Sequence, residues 1–325
     1  MKNRILNLLK ESDDFISGQK ISDDLGVSRA AVWKYINALK EEGYEIESIS
    51  RRGYKFVLSP DVLTYEEIEK FLDTKYIGRE LIYLPAVDST NNYAKNIASN
   101  KNEGTVVTAE QQLSGKGRLG RDWTSPSHKG IYMSIILKPD LDPSKVAKLT
   151  LIGAAAVYKA LKDIGIQSQI KWPNDIVIDG KKVCGILTEM SCELNIIDYI
   201  IMGIGINVNL DKDDIPKELK DKATSLKLVT KKTINRKGLL GLVLNHFEKL
   251  YEPFKKDLNL DEVIKICKEN SALFGKEVHI IQGNSTRKGK AIDINSEGEL
   301  IVKFDTGIET IYSGEVSVRG LNGYV

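Results

Sequence analysis

Hydrophobic residues in the first 58 positions recur at helical spacing and then alternate with polar ones. The apolar residues within 5–9 can share one face of a helix. Ser17 and Ser28 are placed to cap two further helices, because a hydroxyl there can accept from free backbone N–H groups. The runs 45–49 and 54–58 flank a glycine-containing turn, which predicts a β-hairpin.

From about residue 80 to 210, short runs rich in isoleucine and valine predict strands. These runs are 80–84, 105–110, 130–137, 175–178, 183–189 and 199–208. Helices are predicted over 149–164 and 238–256, where apolar residues recur every three or four positions. Residues 61–78 predict a connecting helix. This mixture indicates an α+β fold in which helices pack on a sheet.

The end of the chain favours a small all-β module. Turn signals such as Gly283-Asn284 and Glu297-Gly298 separate its short apolar runs, as in a small antiparallel barrel or sandwich. Strands are predicted at 277–281, 287–295, 299–304, 309–312 and 316–320. We therefore expect a multidomain protein with domains at 1–60, 61–270 and 271–325.

Composition narrows the class of protein. Hydrophobic residues are 42% and charged residues 28% of the 325 positions, so the chain as a whole is not disordered. A net charge of +2 shows no overall basic excess, but it says nothing of local patches. The three cysteines and three histidines are scattered, which disfavours disulfides and a resident metal site. No apolar run suits a signal peptide or the ~18 residues of a membrane span, so we expect a cytoplasmic protein.

The order helix–turn–helix–hairpin is typical of a winged DNA-binding module. In such modules residues near the start of the second helix of the motif reach base edges, and the hairpin lies beside the duplex. The candidate DNA-binding residues are Ser28, Arg29, Ala30, Trp33 and Lys34, with Arg51 and Arg52 at the hairpin tip. The alternative is a helical bundle that docks another protein. Because a module of this size makes few phosphate contacts, we expect it to bind operator DNA only as a dimer.

The segment 115–121 alternates three glycines with three cations. Glycines let backbone N–H groups approach a ligand closely, and the cations supply charge for a phosphate or carboxylate. The segment is neither a P-loop, which ends in GK[ST], nor a GxGxxG motif that opens a helix. Alone, it could equally be a flexible basic surface loop.

Other polar motifs accompany this loop. Ser89 and Thr90 offer hydroxyls at the start of a predicted helix, where they could also be ordinary caps. Gln112 can give both a donor and an acceptor to a urea- or amide-like ligand. The turn 171–175, KWPND, combines a cation, an aromatic ring, an amide and a carboxylate, and the runs KKVCGIL and GIGIN follow.

The motifs DSTN, QQ-x-x-GKGRLGR-x-W, KWPND, KKVCGIL-x-E and GIGINV resemble, in this order, those of biotin–protein ligases. With the N-terminal helix-turn-helix and the C-terminal β module, the whole chain resembles the bifunctional family that combines biotin ligase with biotin-operon repressor. The resemblance implies a winged helix-turn-helix, a central mixed α/β ligase domain with a class II synthetase-like sheet, and a small SH3-like β-barrel.

The resemblance also implies roles for residues. The implied biotin-binding residues are Ser89, Thr90, Asn91, Gln112, Lys116, Gly117, Arg118 and Lys182, of which Arg118 and Lys182 are the implied catalytic residues. The implied ATP and adenylate residues are Gly115, Arg121, Lys171, Asn174, Asp175 and Asn207, with Mg²⁺ arriving with ATP. Many family members have Arg where this chain has Lys116, and Lys lacks the planar fork of Arg.

The implied activity joins biotin to ATP as biotinyl-5'-AMP and then transfers biotin to a lysine of the biotin carboxyl carrier protein. The implied second function is repression, with biotinyl-5'-AMP promoting a homodimer that binds a palindromic operator. Residues 211–224 could order over the adenine or could be a plain surface loop. Two alternatives stay open, a ligand-sensing transcription factor without ligase activity and a lipoate ligase.

Overall fold

The computed structural model describes residues 1–314, 316–321 and 324–325. The chain divides into two compact units, Met1–Val62 and Leu63–Val325. Within the described residues, no helix is both long enough and apolar enough to cross a membrane.

The first unit contains the predicted helices and hairpin. Its elements are α1 (Lys2–Lys10), α2 (Gly18–Leu25), α3 (Arg29–Glu41), β1 (Glu45–Ile49) and β2 (Gly53–Leu58). Ser17 Oγ accepts from the Lys20 N–H, and Ser28 Oγ accepts from the Ala31 N–H, so both predicted caps are confirmed. The apolar faces of all three helices form one core with Tyr44 and Ile46.

The hairpin of this unit is held against the segment between α1 and α2. Ile16 and Tyr54 exchange two backbone hydrogen bonds of 2.9 Å. Gly53 has a φ of +111°, and a Cβ built on it would lie 2.0 Å from the Ile16 carbonyl oxygen. Glycine is therefore required at position 53 both for its backbone angle and for the close approach.

The second unit is built on a seven-stranded sheet. Its elements in chain order are α4 (Tyr65–Ile68), β3 (Leu81–Leu84), α5 (Thr90–Ile97), β4 (Val106–Ala109), β5 (Ile131–Leu137), α6 (Val146–Asp163), β6 (Gln169–Lys171), β7 (Asp175–Ile178), β8 (Lys181–Glu193), β9 (Ile196–Ile206), α7 (Leu226–Thr230), α8 (Arg236–Asp257) and α9 (Asp261–Glu269). The strand order is β3-β4-β5-β9-β8-β7-β6, and only the β3–β4 pair is parallel. Helices α6 and α8 pack together, and α6 also contacts strands β6 to β9. The mixed α/β architecture is confirmed.

The predicted helix over 61–78 is wrong beyond its first turns. Only α4 and a 3-10 turn at Glu69–Phe71 form. The Glu248 carboxylate on α8 accepts from the backbone N–H groups of Lys75, Tyr76 and Ile77 at 2.6–3.0 Å. These tertiary hydrogen bonds replace the helical ones. The short elements β6, α7 and α9 are not predicted by the sequence pattern.

The chain ends in a small antiparallel sheet. Its strands are β10 (Glu277–Gln282), β11 (Ser285–Ile294), β12 (Leu300–Phe304), β13 (Gly307–Ile311) and β14 (Val316–Gly320). Their order is β13-β12-β11-β10-β14. The small β module is confirmed, although among the described residues β13 and β14 do not pair to close a barrel.

Candidate active site and nucleic-acid interface

A chain of buried polar groups forms at the N-terminus of α5. The backbone N–H and Oγ1 of Thr90 both donate to Gln112 Oε1, at 2.9 and 3.1 Å. Gln112 Nε2 donates to Ser125 Oγ at 2.9 Å. Ser89, only 1% exposed, accepts from the Asn92 N–H and caps the helix. The hydrogen bonds hold these side chains in single orientations, as a recognition site requires.

Asn91 extends this network to the sheet. Its Oδ1 accepts from Ser134 Oγ at 2.6 Å, and its Nδ2 donates to Glu189 Oε2 at 2.7 Å. A Cβ built on Gly203 would lie 2.2 Å from Asn91 Oδ1. The first glycine of the GIGIN run is therefore needed so that Asn91 can lie flat on β9.

These groups line a narrow cavity of about 40 Å³. Every predicted biotin-site residue lines it: Ser89, Thr90, Asn91, Gln112, Lys116, Gly117, Arg118 and Lys182. Glycines and apolar side chains of β8 and β9 form much of the remaining wall, with Trp123, Tyr132, Met133 and Asn174. The structure thus brings together residues that are more than 90 positions apart in the sequence.

The glycine–basic loop is folded back on itself. The Gly117 N–H donates to the Arg121 carbonyl at 2.7 Å, and the Trp123 N–H donates to the Gly115 carbonyl at 2.8 Å. Gly120 lies in the left-handed region with φ of +68°, which favours glycine. Gly115, a predicted adenylate residue, lies against the Trp123 backbone and lines neither cavity described here.

Arg118 links the loop to two other parts of the unit. Its Nη1 donates to Asn174 Oδ1 at 3.0 Å, and its Nη2 donates to the carbonyls of Gly314 and Val316 at 2.6 and 3.1 Å. Burial lowers the pKa of the guanidinium, and the nearby Asp175 carboxylate opposes that change. The partly desolvated Arg118 guanidinium is therefore held where the glycine–basic loop, the KWPND turn and the C-terminal module meet.

A second, larger cavity of about 500 Å³ adjoins the first. The predicted ATP residues Arg121, Lys171, Asn174, Asp175 and Asn207 line it. Gly117, Arg118, Trp123, Asn174 and Lys182 line both cavities. The two spaces therefore meet at the cations Arg118 and Lys182.

Two charged residues of the KWPND turn are deeply buried. Lys171 is 3% exposed, and burial lowers the pKa of its ammonium to about 7 despite the nearby Asp175. Lys182 Nζ contacts Asp175 Oδ1 at 2.6 Å. Burial acts to raise the pKa of Asp175, but Lys182 and Lys171 together outweigh it and the pKa is lowered. Asp175 is thus an anion held between cations.

Trp123 packs closely on the glycines of the sheet. A Cβ on Gly185 or Gly205 would lie 3.0 or 2.6 Å from its indole ring. Lys182 Nζ lies 5.1 Å from the ring centroid. The indole Nε1 is buried without a hydrogen-bond partner among the described residues. Buried donors are nearly always paired, so this N–H is a candidate ligand contact.

The segment 211–224 lies along the larger cavity. Its apolar side chains Ile215, Leu219 and Ala223 line the cavity, as Trp123 and Leu210 also do. Asp211 anchors the start of the segment, because its carboxylate accepts from Lys129 and Lys227 at 2.6 Å each.

Sequence reasoning missed Arg319 and Tyr324, which also line the larger cavity. Both belong to the C-terminal end, which no motif in the sequence connects with the central domain. Among the described residues, no group of three or more His, Cys, Asp or Glu side chains could hold a metal ion. An Mg²⁺ ion that arrives with ATP would be coordinated by the phosphates of the nucleotide.

In the first unit, α3 presents a polar face away from its core. Val32, Ile36 and Leu39 are buried on the inner face, whereas Trp33 is 61% exposed. The candidate DNA-binding residues Ser28, Arg29, Ala30, Trp33, Lys34, Arg51 and Arg52 are all exposed. The order of helices and hairpin, with an exposed aromatic ring among cations, fits a nucleic-acid interface.

The two arginines of the hairpin tip differ. Arg51 has a φ of +67° at the turn itself. The Arg52 guanidinium instead lies 4.3 Å from the ring centroid of Phe15 and donates to Asp14 Oδ1 at 3.4 Å. Arg52 therefore contributes to holding the hairpin in place.

The chain combines a winged helix-turn-helix unit with a second unit that has two adjoining polar cavities and a small β module. This combination defines a DNA-binding ligase. Family comparisons agree. Residues 2–55 match an HTH domain, residues 83–207 the biotin/lipoate A/B protein ligase family, and residues 273–319 the biotin protein ligase C-terminal domain. The chain is 43% identical to the bifunctional ligase/repressor BirA of Bacillus spizizenii over 98% of each chain. It therefore belongs to the bifunctional biotin ligase/repressor family.

Other relatives agree with this result. The bifunctional ligase/repressor BirA of Escherichia coli is 26% identical over 96% of this chain and 95% of its own. A biotin protein ligase from Aquifex aeolicus in complex with biotin and ATP is 35% identical, with a TM-score of 0.66. That structure matches 74% of this chain and 99% of its own.

Proposed function

We propose that this protein joins biotin to ATP as biotinyl-5'-AMP and transfers biotin to a lysine of a biotin carboxyl carrier protein. One observation carries the proposal: the narrow cavity and the larger cavity share Arg118 and Lys182 as lining residues. If biotin fills the first space and ATP the second, the biotin carboxylate and the α-phosphate meet at these two cations.

The first step needs positioning and charge rather than a protein nucleophile. A carboxylate oxygen of biotin attacks the α-phosphorus of ATP, the Pα–O bond to the β-phosphate breaks, and pyrophosphate leaves with that electron pair. Arg118 and Lys182 stabilise the charge that develops on the phosphoryl oxygens. Lys171, Asn174, Asp175 and Asn207 hold the nucleotide. Mg²⁺ bound to the ATP phosphates would offset part of their charge.

In the second step the neutral amine of the acceptor lysine attacks the acyl carbon of the mixed anhydride. The C–O bond to AMP breaks, AMP leaves with that electron pair, and the amine releases a proton to solvent as the amide forms. The adenylate must be shielded from water until the acceptor arrives. The loop 115–121 lies between the two cavities and is suited to cover it, with Lys116 supplying charge in place of the commoner Arg.

The narrow cavity suits the polar ring of biotin. A urea group has one acceptor oxygen and two N–H donors, and it needs partners of both kinds. Gln112, Thr90, Asn91 and Ser89 together offer such partners from fixed positions. In the larger cavity, Trp123 and the apolar side chains of 211–224 fit the flat adenine ring, so we favour an adenine-covering role for this segment.

We further propose that the first unit represses transcription in the cytoplasm, with biotinyl-5'-AMP promoting a homodimer that binds a palindromic operator. The support is the exposed face of α3 together with the small size of the unit, which allows few phosphate contacts per protomer. Arg29→Ala should weaken operator binding by about tenfold or more, since a base contact contributes ~1–3 kcal/mol. Lys40→Ala, at the far end of α3, is the matched control, and unchanged affinity in Arg29→Ala would remove this role.

ATP–pyrophosphate exchange tests the ligase proposal. We expect exchange that depends on biotin and is not supported by lipoate. Exchange with lipoate alone would identify a lipoate ligase, and no exchange with either acid would leave a ligand-sensing transcription factor. Labelling of the purified carrier protein at one lysine would then establish the transfer step.

A further inference from the structure

The penultimate residue of the chain, Tyr324, lies in the larger cavity rather than on the surface. Strand β14 ends at Gly320, and a Cβ on Gly320 would lie 2.4 Å from the Val325 carbonyl carbon. The terminal residue therefore returns against the strand, where Val325 also packs on the main core. This return places Tyr324 among residues of the KWPND turn.

Tyr324 contacts both charged residues of that turn. Its hydroxyl donates a hydrogen bond to Asp175 Oδ2, and its ring centroid lies 3.4 Å from Lys171 Nζ. The Arg319 guanidinium lies 5.0 Å from the same ring. One side chain thus connects the C-terminal module with the ATP-side residues of the central domain.

These contacts restrict Asp175 at both oxygens. Oδ1 contacts Lys182 Nζ at 2.6 Å, and Oδ2 accepts from the Tyr324 hydroxyl. A carboxylate held at both oxygens cannot rotate freely, so the direction of its ion pair with Lys182 is set as well. The ring also supplies a negative face to Lys171, and such a contact is stronger when it is shielded from water.

We propose that Tyr324 is a positioning residue for adenylation, through which the C-terminal module orients Lys182 and Lys171 toward ATP. This inference rests on the proposed ligase function. Tyr324 need not touch the reacting atoms, because it acts through Asp175 on Lys182 and through its ring on Lys171. The hydroxyl and the ring therefore have separable effects.

Two variants separate these effects in the full-length protein. Tyr324→Phe keeps the ring and removes the hydroxyl, so the kcat of biotin-dependent exchange should fall about tenfold while the KM for biotin is unchanged. Tyr324→Leu removes the ring as well and should also raise the KM for ATP several-fold. Tyr312→Phe is the matched control, because Tyr312 belongs to the same module and is 68% exposed. It should behave as the wild type.

Direct binding of biotin and of ATP, measured by calorimetry, accompanies the kinetics. If Tyr324 had a merely structural role, its variants would lose affinity for biotin and for ATP together. That result would overturn the proposal. So would wild-type kcat in Tyr324→Phe, or tighter ATP binding in Tyr324→Leu, which would mark the tyrosine as an obstacle. If the wild type itself lacks exchange with biotin, the ligase proposal fails, and weaker ATP binding by Tyr324→Leu still tests the role of the ring.

Discussion

Lys182 Nζ lies 2.6 Å from Asp175 Oδ1, at the point where the two cavities meet. The two residues come from β8 and from the start of β7, which are neighbours in the sheet. The pair places the Lys182 ammonium beside the site proposed for the α-phosphate. It also keeps the buried carboxylate compensated, which matters because an unpaired buried charge is costly.

Lys182→Met should lower the rate of biotin-dependent ATP–pyrophosphate exchange by about 100-fold to 1000-fold, because a preorganised donor to the transition state is lost. Stopped-flow or steady-state exchange measures this loss. Lys181→Met is the matched control, since Lys181 is adjacent but donates to the Lys220 carbonyl instead. Equal losses in both variants would argue against a catalytic role for Lys182.

ATP binding should weaken as pH rises above about 7. Burial lowers the pKa of Lys171 to about 7, so the ammonium loses its proton near neutrality in the free protein. The ATP phosphates favour the charged form of Lys171, so the protein takes up a proton when ATP binds above this pKa. The affinity for ATP therefore falls by at most about tenfold for each unit that the pH rises. Calorimetry in buffers of different ionisation enthalpy measures the proton uptake.

Lys171→Arg is the control for this titration, because a guanidinium stays protonated throughout the range. The affinity of this variant for ATP should not depend on pH between about 7 and 9. That interval covers roughly two pH units above the lowered pKa of Lys171. A wild-type affinity that is flat over the same interval would contradict the assignment to Lys171.

Arg118→Gly should still form the adenylate but release it. The variant loses the contacts of Arg118 with Asn174 and with the Gly314 and Val316 carbonyls, which hold the loop closed over the junction. Free adenylate labels lysines indiscriminately, so mass spectrometry should find biotin on many lysines of an added bystander protein. Leu113→Gly, at a 70% exposed position before the loop, should label only the carrier protein. Retention of the adenylate by Arg118→Gly would contradict the covering role.

Gly53→Ala should unfold or loosen the first unit and abolish operator binding, while biotin-dependent exchange stays near the wild-type rate. The added Cβ would lie 2.0 Å from the Ile16 carbonyl oxygen. Gly26→Ala is a matched comparison, since Gly26 has a φ of +65° but open space around it. It should cost only the ~1 kcal/mol of an unfavourable backbone angle. Thermal unfolding and operator binding measure both variants, and equal effects would show that the close approach is unimportant.

Local pattern was enough for much of the fold. Amphipathic spacing predicted α6 and α8, and serine caps marked the starts of α2 and α3, because both signals act over a few neighbouring residues. The same reasoning failed over 61–78, where Glu248 of α8 takes the backbone N–H groups that a helix would need. A competing acceptor 170 or more positions away leaves no local trace.

The sequence by itself determined the family, the order of the modules and the residue types of the site, because glycine runs, caps and the KWPND turn are short-range features. Only the tertiary structure decided that Arg118 and Lys182 line both cavities, that Arg52 lies on Phe15, and that Tyr324 reaches Asp175. The physical reason is distance along the chain: such contacts depend on how strands and the chain end pack in space, and no periodicity encodes them.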